Sequence, residues 1–299
     1  MINIQNVSKF ILNDISIYIP KGKTVGLIGA SGAGKTTFLK LVCGLLEPEC
    51  GSIFTMGVKP YLRQKSFRVG IAMLFAGVPM LEEEETVESN FEALKNIYGM
   101  DKEIFEHEYR ILAKRLGFTD ITSRPVRELS LGQKRRVEIA AVFVHRPKLL
   151  LMDEPTIGLD ENAKQAFYEL LEERKQEGLT TVLTSHNMEE ISHVCDRIVL
   201  LKKGKLLYYG TEWRLKKAYA PVNSISLEID GRFPDLEDLL LKKYVIEGNK
   251  LQLVYDSNHV TAAEILKHIF SQSGVRDVTI HTPDLTDVIM QISRGEKDD

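Results

Sequence analysis

Residues 24 to 42 read TVGLIGASGAGKTTFLKLV, and this stretch decides the fold. It starts as an apolar run of strand length, passes through a glycine-rich turn and ends in an apolar pattern typical of a helix. Gly29, Gly34, Lys35 and Thr36 match the spacing G-x-x-x-x-G-K-[ST] of a phosphate-binding loop between a strand and a helix. We therefore expect backbone N–H groups of this loop to surround a phosphate, because glycines permit the close approach.

Two further apolar runs, LLLMDE at 149–154 and TTVLTSH at 180–186, are typical of strands buried on both faces. Helical patterns lie between the runs, for example KRRVEIAAVFVH at 134–145 and NAKQAFYELLEERKQEG at 162–178. Alternation of this kind predicts an α/β core with a parallel sheet. Ligands of such sheets bind at the carboxyl ends of the strands, where polar residues follow each of these runs.

The residues at those strand ends predict nucleotide chemistry. Lys35 is expected to reach the β- and γ-phosphates, and the Thr36 hydroxyl and the Asp153 carboxylate are expected to hold Mg²⁺. Glu154 can polarise an attacking water, and His186 can sense the γ-phosphate. The alternatives are a strand-end turn at Asp153 and Glu154 and a capping or core role for His186.

Length and composition limit the possible functions. A chain of 299 residues, 43% of them hydrophobic, is long enough for a large domain and a smaller one. Its net charge of -3 argues against a nucleic-acid partner, because phosphate backbones are bound by an excess of Lys and Arg. The cysteines, Cys43, Cys50 and Cys195, lack metal-ligand spacing, and we expect buried thiols of a reducing compartment. No stretch reaches the roughly 20 apolar residues that span a bilayer, which predicts a cytoplasmic location.

The pattern changes after about residue 219. Residues 222–295 read as strand, helix, strand, strand, helix, strand and helix, with the first helix at FPDLEDLLLKK, 233–243. This order predicts an accessory α+β domain of the ferredoxin-like type. The last residues, 296–299, form a charged tail.

Five motifs together resemble the nucleotide-binding subunit of an ABC transporter. In chain order they are the Walker A loop at 29–36, LSLGQ at 129–133, the Walker B strand at 149–154, GLD at 158–160 and His186. More narrowly, LSLGQ together with DEPTIGLD at 153–160 and ESNFEALKNIYG at 88–99 resembles a bacterial exporter-type group whose ATPase is a separate chain from its permeases. The resemblance implies a cassette at 1–219, with a parallel or mixed sheet and a helical subdomain at about 78–145.

The resemblance implies that LSLGQ contacts the γ-phosphate of a nucleotide held by a second copy of the chain. A helix starting near Lys134 fits such an anion site, because the Ser hydroxyl and glycine N–H groups precede it. A plain helix cap by Ser130 is the alternative. Asp160 is expected to link the two sites, and Phe10 to stack on adenine, with Tyr18 or a core role for Phe10 as alternatives. The full set of expected nucleotide contacts is Phe10, Gly29, Ala30, Ser31, Gly32, Ala33, Gly34, Lys35, Thr36, Thr37, Ser130, Gly132, Gln133 and Asp160.

The implied function is hydrolysis of ATP with Mg²⁺ by a head-to-tail homodimer. This dimer is expected to lie on the inner face of the cell membrane and to drive export through a transmembrane permease. A soluble or regulatory ATPase that is not coupled to transport is the alternative.

The chain departs from the family pattern at two positions. Leu131 replaces a glycine of the usual LSGGQ, and Gly77 occupies the place where relatives carry a glutamine that helps to bind Mg²⁺ and couples the site to the permease. We assign no glutamine role. The acidic run Glu82 to Glu85 is either a solvated face or a docking surface for a basic helix of the permease.

Overall fold

A computed structural model describes residues 1–294, so the predicted charged tail at 296–299 lies outside the described residues. The chain forms two compact units that meet in sequence between Tyr209 and Gly210. This division falls before the expected boundary at 219–222, and the assignment of separate domains stays a prediction. No described helix combines the length and apolar character that crossing a bilayer requires.

The strands follow the predicted runs closely in the first unit. In chain order they are β1 Ile2–Lys9, β2 Leu12–Ile19, β3 Thr24–Ile28, β4 Cys50–Thr55, β5 Ile71–Leu74, β6 Leu149–Asp153, β7 Thr180–Thr184, β8 Arg197–Lys202, β9 Lys205–Gly210, β10 Val222–Asp230, β11 Leu241–Glu247, β12 Lys250–Asp256 and β13 Gly274–His281.

The helices alternate with these strands. They are α1 Lys35–Val42, α2 Lys65–Val69, α3 Val87–Tyr98, α4 Lys102–Arg115, α5 Leu131–Phe143, α6 Glu161–Gln176, α7 Met188–Val194, α8 Glu212–Tyr219, α9 Ala262–Phe270 and α10 Leu285–Arg294.

A six-stranded sheet in the order β5-β6-β7-β3-β8-β9 carries the first unit, and β5, β6, β7, β3 and β8 pair in parallel. The strands β3, β6 and β7 are buried on both faces, apart from the half-buried Asp153 at the end of β6. Because parallel strands end at one edge, the residues that follow β3, β6 and β7 are brought together. The predicted α/β class is confirmed, with α3 to α5 in the predicted helical subdomain.

A smaller antiparallel sheet, β2-β1-β4, packs its apolar side chains into the same core as β3 and α1. The turn between β1 and β2 contains Phe10 and Ile11, since Lys9 pairs with Leu12. The expectation of buried thiols is correct for Cys43, but Cys50 on β4 is exposed and Cys195 is half-buried.

The second unit contains a four-stranded antiparallel sheet in the order β11-β12-β10-β13. Both β10 and β11 run antiparallel to β12, which lies between them, so β10 and β11 are parallel to each other. A ferredoxin-like unit separates two parallel strands in the same way, but it connects them by a helix. The helix predicted at 233–243 is wrong, because most of that stretch is irregular and Leu241 already begins β11. Tertiary hydrogen bonds hold the irregular stretch: the Asp235 N–H donates to Gln272, and the Asp235 carbonyl lies 2.8 Å from His268 Nε2.

Candidate nucleotide site

The phosphate loop joins β3 to α1 in a backbone conformation that only glycine fits. A Cβ on Gly29, whose φ is 153°, would lie 2.4 Å from the Leu201 carbonyl oxygen. A Cβ on Gly34, whose φ is 105°, would lie 2.5 Å from Leu12 Cδ2. Lys35 is the first residue of α1, so the helix N-terminus points its free N–H groups and positive partial charge at the loop. Ala30, Ser31, Gly32, Ala33 and Thr37 complete the loop and the first turn.

Lys35 lies across its own loop. Its Nζ donates to the carbonyl oxygens of Gly29 at 2.8 Å and Ala30 at 3.3 Å. The ammonium group therefore sits among the loop's backbone groups. Phosphate oxygens would be charged acceptors for the same donors and would form stronger hydrogen bonds than the neutral carbonyls do.

Three side chains form a chain of hydrogen bonds between α1, β6 and β7. Thr36 Oγ1 donates to Asp153 Oδ2 at 3.1 Å, and Thr184 Oγ1 donates to Asp153 Oδ1 at 2.6 Å. Hydroxyl and carboxylate oxygens are the protein ligands that suit Mg²⁺, which takes its remaining ligands from water and substrate phosphates. No cluster of three or more His, Cys, Asp or Glu suited to a metal occurs within residues 1–294. The residues fit a metal that is shared with a nucleotide rather than a cage built by protein alone.

Glu154 and His186 face each other where β6 and β7 end. His186 Nε2 lies 3.3 Å from Glu154 Oε1, and the His186 N–H donates to Glu154 Oε2 at 3.3 Å. The Glu154 side chain is only 12% exposed, and its Oε1 is buried without a hydrogen bond. Burial raises the pKa of Glu154, and the nearby His186 offsets part of this rise. A carboxylate at the end of a strand beside a phosphate loop has the chemistry to accept a hydrogen from a water molecule.

The LSLGQ segment forms the N-terminus of α5, and both hydrogen bonds of a capping box are present there. The Ser130 hydroxyl accepts the Gln133 N–H at 3.3 Å, and the Gln133 side chain accepts the Ser130 N–H at 3.0 Å. The helix begins at Leu131, three residues before the expected start at Lys134, so Gly132 lies in its first turn. Leu131 is 70% exposed, beside Gly158. The capping role of Ser130 is confirmed, and its contact with a second copy's nucleotide stays a prediction.

Asp160 caps α6 and is tied to α5. Its side chain accepts the Ala163 N–H at 2.9 Å and forms an ion pair with Arg136. The Ala163 N–H, together with Arg136, lowers the pKa of Asp160. The carboxylate therefore stays ionised at neutral pH, and it fixes the GLD loop against the helix that follows LSLGQ.

Phe10 lies at the tip of the β1–β2 turn, next to the phosphate loop. Its ring is 70% exposed, with Lys9 Nζ 4.9 Å from the ring centroid. Ile11 and Leu12, which follow it, approach Gly34 closely. The core alternative for Phe10 is wrong, and the exposed ring is free to stack. Tyr18 is also exposed, on β2.

The acidic run is tied to its surroundings by ion pairs. Glu83 pairs with Lys134 of α5 and Glu84 pairs with Arg127. Gly77 lies in the exposed loop after β5 with a φ of 72°, and a Cβ there would meet no atom within 4 Å. A side chain at this position would extend into open space.

The sequence motifs did not predict three residues of the site: Thr184, Arg135 and Arg136. Thr184 could have been found from the predicted strand end TTVLTSH, because it stands next to Asp153 in the parallel register. The two arginines follow Gln133 directly, and their partners at Glu154, Pro155 and Asp160 became visible only in the tertiary structure.

Comparison with known proteins adds independent information. Residues 12–157 match the family profile for "ABC transporter". The chain is 34% identical over 199 residues to the ABC transporter ATP-binding protein NatA of Bacillus subtilis, which covers 67% of this chain and 81% of that protein. It is 35% identical over 223 residues to the lantibiotic transport ATP-binding protein SrtF of Streptococcus pyogenes, and this match covers 71% of this chain and 93% of SrtF. The Nod factor export ATP-binding protein I of Rhizobium etli is 30% identical to this chain, and the match covers 96% of this chain and 90% of that protein.

Solved structures agree with these relatives. A structure described as the ATP binding subunit of an ABC transporter superposes with a TM-score of 0.69 at 28% identity, covering 73% of this chain and 92% of that one. The dimeric structure of MJ0796, a bacterial ABC transporter cassette, superposes with a TM-score of 0.63 at 25% identity, covering 71% and 98%.

Proposed function

The chain belongs to the ABC transporter family as an ATP-binding subunit that hydrolyses ATP, and on this premise we propose that two copies bind Mg-ATP head to tail and drive export through a separate transmembrane permease. The observation that supports this most directly is found at one sheet edge, where Thr36 is hydrogen-bonded to Asp153 and Glu154 is in contact with His186. Lys35 lies beside them, across its own phosphate loop. If these residues only capped the ends of separate strands, they would not need to contact one another.

The proposed roles follow from the chemistry of each group. Lys35 leaves its loop carbonyls and binds the β- and γ-phosphates, while Thr36 and Asp153 hold Mg²⁺. When bound, Mg²⁺ neutralises charge that develops on the phosphate oxygens. Glu154 orients or activates the attacking water, and His186 contacts the γ-phosphate and the Glu154 carboxylate.

The second half of the site is proposed to come from the other copy. Ser130, Gly132 and Gln133 lie at the N-terminus of α5, which is an anion site by geometry and dipole. One chain already contains a complete phosphate loop, so this second anion site suits the nucleotide of a symmetric partner. The dimeric cassette MJ0796 supports such pairing.

Export and the membrane partner are proposed from the relatives. The printed names of SrtF and of the Rhizobium protein state lantibiotic transport and Nod factor export. We propose that this chain likewise serves a permease, and binds it on the inner face of the cell membrane. The cargo is expected to be chosen by the permease.

The decisive experiment uses Glu154→Gln in the full chain. We expect this variant to lose roughly 100-fold or more of its steady-state phosphate release, and to form an ATP-bound dimer with Mg-ATP in size-exclusion chromatography. Glu169→Gln is the matched control, because Glu169 lies on the exposed face of α6 and contacts Gln165 only within its own helix. Only monomer for both Glu154→Gln and the unmodified chain would rule out the head-to-tail dimer. Absence of any phosphate release from the unmodified chain would favour a regulatory ATP-binding module instead.

A further inference from the structure

Arg135 connects the LSLGQ helix to the backbone of the proposed catalytic carboxylate. It lies on α5, two positions after Gln133, and its side chain is 11% exposed. Nη2 donates to the Glu154 carbonyl oxygen at 2.6 Å, and Nε donates to the Pro155 carbonyl oxygen at 2.9 Å. A planar guanidinium can serve two adjacent carbonyls at once, which the single ammonium of a lysine cannot reproduce in the same geometry.

The backbone that Arg135 holds is unusual. Glu154 has a φ of 51°, a left-handed conformation that residues with a side chain rarely adopt. Such a conformation persists only when surrounding groups fix it. On the amino side, the Glu154 N–H donates to Thr184 Oγ1 at 3.0 Å, and on the carboxyl side the carbonyls of Glu154 and Pro155 accept from Arg135.

A third contact fixes Arg135 itself. Its Nη1 donates to Glu138 Oε2 at 3.2 Å, one turn further along α5, and both side chains are 11% exposed. The guanidinium is therefore oriented from its own helix, so it cannot rotate away from the two carbonyls without leaving a buried carboxylate unpaired.

We propose that Arg135 is a positioning residue for hydrolysis, which holds Glu154 in the conformation that turns its carboxylate towards the phosphate loop. This inference rests on the proposed function, in which Glu154 acts on the nucleotide of its own chain and the start of α5 acts on that of the partner. Arg135 then links the two sites through one chain. When a second copy binds at LSLGQ and α5 shifts, Arg135 shifts with it. This moves Glu154 at the nucleotide that its own chain holds.

The test separates positioning from a merely structural role. Arg135→Leu is expected to lower kcat roughly 10- to 100-fold, as for a displaced reacting group, while the calorimetric affinity for ATP stays within about twofold. Arg135→Lys is expected to recover only part of the rate, because the charge remains but the two-pronged geometry is lost. Arg110→Leu is the matched control, since Arg110 lies on α4 and its Nε donates to a carbonyl of its own helix at 3.1 Å.

A double variant identifies the group through which Arg135 acts. In a Glu154→Gln background, Arg135→Leu is expected to leave the residual single-turnover rate unchanged, because the group that it positions is already absent. A further loss there, a parallel loss of ATP affinity, or an unchanged kcat in a folded Arg135→Leu protein would each overturn the inference. Should Arg135→Leu fail to fold, as judged by thermal melting, Arg135→Lys decides: full activity overturns the inference, and partial activity supports it. If Glu154→Gln alone retains full activity, the proposed role of Glu154 has failed instead.

Discussion

The nucleotide edge of the first unit and the sheet of the second unit both carry many polar side chains, but they use them differently. At the nucleotide edge, groups from separate elements converge: Thr36 of α1 and Thr184 of β7 both bond Asp153 of β6. On the second unit's sheet, polar residues lie opposite each other in cross-strand rows, as Glu228 does with Lys250. The first arrangement brings groups from three elements to one point, whereas the second spreads its polar groups along the strands. Convergence, rather than polarity, marks the functional region.

The largest effect expected from this difference is on nucleotide affinity. Lys35→Ala should weaken ATP binding by at least about 1000-fold, or about 4 kcal/mol, because it removes the charged donor of the phosphate loop. Lys250→Ala, in a row of the second unit's sheet, should leave the affinity unchanged. Calorimetric titration with ATP measures both, and unchanged binding by Lys35→Ala would contradict the phosphate-loop assignment.

A core substitution should distinguish the two units by stability. Leu253 on β12 is fully buried, and Leu253→Ala should destabilise the second unit by about 3 kcal/mol through lost packing. Hydrogen exchange of the backbone amides of β10 to β13 in urea reports the change within this unit. Leu240→Ala is the control, because Leu240 is 68% exposed.

The same protein also tests whether catalysis depends on the second unit. We expect the ATPase rate of Leu253→Ala in the absence of urea to match that of the unmodified chain. A proportional loss of rate would show that the second unit supports the nucleotide site.

The smallest effects concern pH, and they have opposite signs in the two units. Burial raises the pKa of Glu154, so its ionised form costs stability at neutral pH. Glu154→Gln should therefore raise the melting temperature near pH 7, and the gain should disappear below the usual carboxyl pKa. The Thr261 N–H and hydroxyl lower the pKa of Glu264, so its ionised form stabilises α9. Glu264→Gln should lower the melting temperature near pH 7, with the loss disappearing on acidification.

Differential scanning calorimetry of both variants from about pH 2 to pH 8 checks these signs, because the Glu264 effect disappears only below its lowered pKa. If both substitutions changed the melting temperature in the same direction, the opposite pKa shifts of the two carboxyl groups would be contradicted.

The sequence predicted the first unit well because its signals are local. Apolar runs identified β3, β6 and β7, and motif spacing identified Lys35, Thr36, Asp153, Glu154 and His186, all of which the fold brings to one edge. The start of α5 was missed by three residues, although the pair Ser130 and Gln133 has the spacing of a capping box.

Other features depended on distant residues and could not be predicted. The stretch at 233–243 has a helical pattern, yet it is irregular: the Asp235 N–H donates to Gln272, and the Asp235 carbonyl is hydrogen-bonded with His268. Tertiary contacts of this kind override helix propensity. The contacts of Arg135 likewise join residues about twenty positions apart, with no periodic pattern to indicate them.

The capping box at the start of α5 leaves the hydroxyl hydrogen of Ser130 unused. The Ser130 oxygen accepts a backbone N–H, so its own hydrogen remains available for an incoming phosphate. Its rotamer is already fixed by folding, and so is that of Gln133. The side-chain entropy that flexible donors lose on association, about 0.5–1.5 kcal/mol each, is therefore lost before a second copy arrives. In the proposed dimer this segment would meet its ligand as a rigid receptor, and closure would need fewer new contacts to offset disorder.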